Sequence, residues 1–136
     1  VVYRFTGFFA RPVIKPPATL PAGSVWREVT APFLGVGVSM SNLVNRDPGL
    51  DEARRLLAGV GLGDATDWLF INYVTWAGPI EDVYGLGVSG GRAFGPVAES
   101  DDDKTRAAYL ELVGEFGVAE ADALNFPPFV RGFWGE

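Results

Sequence analysis

The stretch Gly87-Val-Ser89-Gly-Gly91 reads as G-x-S-x-G, the turn that lifts a serine hydroxyl out of a strand end toward a base. The usual base is histidine, and this 136-residue chain has none. It has no cysteine either, which removes thiolate nucleophiles, disulfides and cysteine-held zinc together. A serine–lysine pair would have to use Lys15 or Lys104, the only lysines present. Gly90, Gly91, Gly95 and Pro96 also oppose a helix directly after Ser89, where the motif needs one. The segment from Gly85 to Gly90 spells G-x-G-x-x-G as well. A dinucleotide site places a helix N-terminus at the last glycine, and the next helix signal lies near Asp101. Gly85–Gly95 therefore reads as a glycine-rich strand end and loop, and we expect no catalytic residue and no cofactor.

Carboxylates are the second chemistry-bearing group. Glu99, Asp101 and Asp103 alternate in the manner of a calcium loop, but the glycine at the sixth position and the glutamate at the twelfth are missing. We expect no metal site. Ser100-Asp101-Asp102-Asp103 reads instead as a helix start, with serine as cap and carboxylates at the positive end of the helix dipole. Glu81 and Asp82 follow the Ala77-Gly78-Pro79 turn and, with Glu28, stand near strand candidates. Paired carboxylates do acid–base work only when burial splits their pKa values, and a solvated hairpin is the simpler reading.

The charge that these groups carry is uneven. Residues 1–68 hold seven basic and six acidic side chains, a balance of +1, whereas residues 69–136 hold four and eleven, a balance of −7. An acidic half repels nucleic acid and anionic lipid and attracts basic partners. No run is long and apolar enough to cross a bilayer; the longest uncharged one, Val29 to Asn45, is broken by Pro32, Gly35, Gly37 and polar residues.

The elements that must position these groups follow from periodicity. Tyr3, Phe5 and Phe9 share one face of an N-terminal strand over residues 1–9, with Phe8 on the other. Val25 to Met40 reads as a strand region broken at Pro32. Leu50, Ala53, Leu57 and Val60 form the stripe of a first helix, which Asp47 caps and Pro48 opens. Trp68–Trp76 is apolar enough for a central strand, and Ile80–Val88 returns beside it. Tyr109, Leu112, Val113 and Phe116 form the stripe of a second helix, and Phe126–Trp134 reads as a last edge strand. This order predicts one α+β domain over residues 1–136: a ferredoxin-like β-α-β-β-α-β antiparallel sheet with both helices on one face and an extra N-terminal strand. Gly35-Val-Gly-Val-Ser39 is echoed by Gly85-Leu-Gly-Val-Ser89, which hints at a repeat over 25–76 and 80–134.

Phe133 and Trp134 are adjacent, so a strand there turns one of them outward; we expect Arg131 and Trp134 as an exposed pair, since Trp and Arg anchor interfaces. The function expected is a non-catalytic protein-binding module, a small acidic inhibitor, immunity-type or regulatory partner in the cytoplasm. It would engage a basic protein through Asp101, Asp102, Asp103, Glu81, Asp82, Arg131 and Trp134, and bind neither nucleic acid nor membrane. The alternative is a small-molecule-binding domain or small enzyme with a pocket near the Gly85–Gly95 loop, lined by Tyr73, Tyr84 and Arg92 with Glu81 and Asp82. A further alternative is a structural subunit whose terminal edge strands pair with another chain, a second copy included.

Overall fold

A computed structural model describes residues 2–41, 47–76, 79–130 and 132–135. The sheet is organised around β1 (Val2–Arg11), which pairs antiparallel with β3 (Gly35–Met40) on one side and β4 (Asp67–Trp76) on the other. β2 (Ser24–Val29) flanks β3, and β5 (Ile80–Ser89) and β6 (Arg92–Glu99) extend the far side, giving six antiparallel strands in the order β2-β3-β1-β4-β5-β6. α1 (Leu50–Gly59) connects β3 to β4, and α2 (Thr105–Glu115) follows β6. The short α3 (Glu120–Ala123) and a 3₁₀ turn over Pro127–Phe129 complete the chain order.

The class is α+β, as the periodicity predicts, but the ferredoxin-like order is not reproduced. The N-terminal strand is central rather than an addition, because it is apolar on both faces. Phe5 and Phe9 point into one buried cluster; Phe8 and Ala10 point into another on the opposite face. Each cluster is closed by its own helix. Ala53 and Leu57 of α1 meet Phe8, Val38 and Phe70, whereas Tyr109, Leu112 and Val113 of α2 belong with Phe5, Phe9 and Ile71. The helices thus lie on opposite faces, not on one. A two-sided sheet needs a cover on both sides, and Phe8 beside Phe9 is the local sign of it.

Three further elements differ from expectation. Residues 92–99 form β6 rather than a loop, because Gly90 and Gly91 take positive φ (60° and 78°) and turn the chain straight back. The two Gly-x-Gly-Val-Ser echoes consequently fall on β3 and β5, strands of different rank in the two β-β-β-α halves. Neither long helix uses its expected side-chain cap: Gly49 precedes α1 and Lys104 precedes α2. The Asp101 carboxylate instead accepts the N–H of Asp103 (3.0 Å), in a turn that leads into α2.

The C-terminal segment is not a strand. Pro127 and Pro128 have no N–H to give a ladder, and the tail folds back over the α2 face as an aromatic plug. Phe129 stacks on Tyr73 (centroids 4.3 Å apart), and Trp134 lies 5.3 Å from Phe5. Trp134 is only 7% exposed, and its indole N–H donates to the Pro128 carbonyl at 2.8 Å. Gly37 makes this approach possible: a Cβ there would stand 2.9 Å from the Trp134 ring. Arg11 ties the tail's near end to the sheet. Its guanidinium donates to the Phe116 carbonyl, pairs with Asp67 at 3.4 Å and lies 4.3 Å from the Phe116 ring centroid.

Candidate functional site

The acidic residues singled out in the sequence gather at one end of the sheet. There the end of β4, the start of β5, the end of β6 and the turn before α2 lie at the same edge. Trp76 closes β4, its N–H donating to the Pro79 carbonyl (3.1 Å). A register shift after Val74 follows, because Val74 pairs with Asp82 and Thr75 with Ile80. Glu81 is therefore the extra residue of a bulge, the device by which an edge re-aims a side chain. Glu81, Asp82, Asp101, Asp102 and Asp103 are all exposed. Glu99 is half-buried and accepts the N–H groups of Ser100 and Asp101, both at 3.3 Å.

Trp76 stands in this carboxylate field with 57% of its surface exposed. With Pro79, Glu81, Ser100 and Asp102 it lines an open groove of about 510 Å³. A second cleft, of about 360 Å³, adjoins it through Pro79 and Asp102 and runs between α2 and α3. Tyr73, Ile80, Thr105, Arg106, Tyr109 and Leu124 shape that cleft. Leu124 is 47% exposed at its rim. The Thr105 hydroxyl is committed to the Ile80 carbonyl (2.6 Å), and the Tyr109 hydroxyl donates to the Ala123 carbonyl (2.7 Å).

Tyr73 differs from both. It is 9% exposed and its ring is packed against Phe129 and Tyr109. Its hydroxyl bonds to no described residue, yet no fully enclosed side-chain oxygen lacks a partner, so this oxygen opens onto the cleft. Burial pushes the Tyr73 phenol up to about 12, so it keeps its proton at neutral pH. Tyr109 is raised further, by burial first and by Tyr73 second. A protonated phenol can both donate and accept.

The other predicted residues do not join this end. Arg131 lies outside the described residues, and Trp134 is buried in the plug, so Trp134 forms no exposed pair. Tyr84 is on the opposite face from Tyr73, since neighbouring positions of a strand alternate and Tyr73 pairs with Val83. Its hydroxyl donates to the Pro48 carbonyl at 2.6 Å, and its phenol is raised by burial and then by Asp47 and Glu52. Arg92 pairs with Ser89 at the glycine turn that closes the opposite end of β5. Tyr73, Tyr84 and Arg92 therefore do not line one pocket. Among the described residues no group of three carboxylates converges as a metal site, and no helix is long and apolar enough to cross a membrane.

Trp76 and Leu124 were not singled out by sequence reasoning. The available sign was a tryptophan at a strand end just before Gly78-Pro79, where a turn ends the sheet's cover. No protein-family model matches the chain, and no curated protein or solved structure matches it either.

Proposed function

We propose that the protein is a protein-binding module that engages a basic partner through the Trp76 end of the sheet. One observation carries the reading: a largely exposed tryptophan that shares an open groove with the exposed carboxylates Glu81 and Asp102. Tryptophan is the residue most enriched at binding hot spots, and a single-sign field around it steers an oppositely charged surface to the right place. The carboxylates act through the field; the indole supplies the apolar contact.

Replacing Asp101, Asp102 and Asp103 together by lysine tests this. These side chains are exposed, and the one bond lost is that from the Asp103 N–H to the Asp101 carboxylate, so the variant should keep its fold, which circular dichroism checks. Capture of basic proteins should weaken about tenfold at low salt, and the difference should vanish at high salt, where screening removes it. Equal capture by both chains at low salt would overturn the reading.

A further inference from the structure

We propose that the Tyr73 cleft is an arginine pocket, in which a guanidinium from the basic partner sits between the Tyr73 hydroxyl and the Asp102 carboxylate. This inference rests on the reading of the Trp76 end as a surface for a basic protein, and names the side chain that it selects. Two independent observations meet here. The first is the Tyr73 hydroxyl, which belongs to a side chain nine-tenths buried, opens onto the cleft and has no bonding partner among the described residues. The ring fixes this oxygen in place while the oxygen itself is open to solvent, so it can accept a donor that arrives with the ligand. The second is charge: Asp102 is shared by this cleft and the Trp76 groove, which Glu81 also lines.

The chemistry of the walls favours a guanidinium over other occupants. Ile80, Leu124 and the Tyr109 ring offer apolar surface to an aliphatic stem, and a planar, weakly hydrated guanidinium stacks on aromatic rings better than an ammonium does. An anion is disfavoured although α2 begins here. The Asp101 carboxylate already takes the N–H of Asp103 in the turn before the helix, and the Thr105 hydroxyl is committed to Ile80. Arg106 is the one cation among the described residues of the wall. It is exposed on α2, and a flexible exposed arginine can turn its head to water. Trp76, next to the cleft, would then cover the partner residue beside the inserted arginine.

The test uses the full chain and two fluorescent peptides, hexa-arginine and hexa-lysine, titrated at low salt against the wild type and the Tyr73→Phe, Asp102→Asn and Asp101→Asn variants. The wild type should bind hexa-arginine about fivefold more tightly than hexa-lysine, and Tyr73→Phe should abolish that preference. Asp102→Asn should weaken hexa-arginine more than Asp101→Asn does, although each removes one charge. Equal binding of the two peptides, untouched by Tyr73→Phe, would overturn the arginine pocket and leave the acidic surface standing. Failure of both peptides to bind the wild type would overturn the pocket and the basic-partner reading together.

Discussion

A cleft runs beside each long helix, one on each face of the sheet, and the two are built from different materials. The α1 cleft, about 240 Å³, is lined by Pro21, Ala22, Met40, Leu56 and Val60, with Ser24 and Arg55 among them. The α2 cleft holds two phenols, a threonine, an aspartate and an arginine. An apolar recess next to α1 is what imperfect packing of a helix over a proline-rich loop leaves behind. The α2 cleft contains a hydroxyl on a packed ring that bonds no described residue and is open to the cleft. The charge follows the same division, with a balance of −7 in residues 69–136 against +1 in residues 1–68. Exposed apolar surface is ordinary on a folded chain; a packed phenol with an unmet hydrogen-bond capacity is not.

The faces also differ in how they are closed, and removing a closure is the strongest way to separate them. The α1 face is sealed by the helix stripe, the α2 face by the stripe and the aromatic plug. Trp134→Ala should cost about 3–5 kcal/mol, the range for deleting a buried aromatic, because it uncovers Phe5, Phe9 and Gly37 at once. Denaturant unfolding measures this loss. A cost below about 1 kcal/mol would mean that the plug does not close the core.

A smaller effect is expected from alkali. The folded chain holds the Tyr73 and Tyr109 protons above the ordinary value of 10, whereas the unfolded chain releases them near it. Their contribution to stability is therefore complete below about pH 10 and is lost as pH climbs toward 12. Tyrosine absorbance and circular dichroism should change together in that window. Ionisation of every tyrosine near pH 10 with no loss of structure would contradict the burial of this pair.

The smallest effect sharpens the contrast most. Tyr73→Phe deletes a hydroxyl that bonds no described residue, so the unfolding free energy should stay within about 0.5 kcal/mol of the wild type. Tyr109→Phe, which breaks the bond to Ala123, should cost about 1 kcal/mol. A Tyr73→Phe cost equal to that of Tyr109→Phe would show that the Tyr73 hydroxyl is already satisfied within the chain.

What was legible in the sequence was what period decides. The stripes Ala53–Leu57–Val60 and Tyr109–Leu112–Val113–Phe116 are buried as their spacing requires, and β1, β4 and β5 begin and end near their apolar runs. β6 was hidden because Gly95 and Pro96 look like a loop, although an edge strand with a bulge tolerates both. The C-terminal segment was misread because aromatic density resembles a strand, while Pro127 and Pro128 turn that density into a plug. Helix sidedness was non-local, yet Phe8 next to Phe9 already implied two covered faces. At the proposed surface, the carboxylates are legible from charge and from their places after a turn and at a helix start. Tyr73 was singled out with the wrong companions, since alternation along β4 and β5 sends Tyr84 to the other side.

The plug also sets an order of assembly during synthesis. Tyr3 donates its hydroxyl proton to the carbonyl of Pro128, 125 residues later, and Trp134 rests on strands from the chain's first third. The α1 face has every residue of its cluster once Val88 has been made, whereas the other face cannot close until the final tryptophan leaves the ribosome. Phe5 and Phe9 must wait until Trp134 has been made, exposed on a sheet already covered on its reverse. A chaperone that favours exposed aromatics would therefore be expected to grip one side of the nascent chain and not the other.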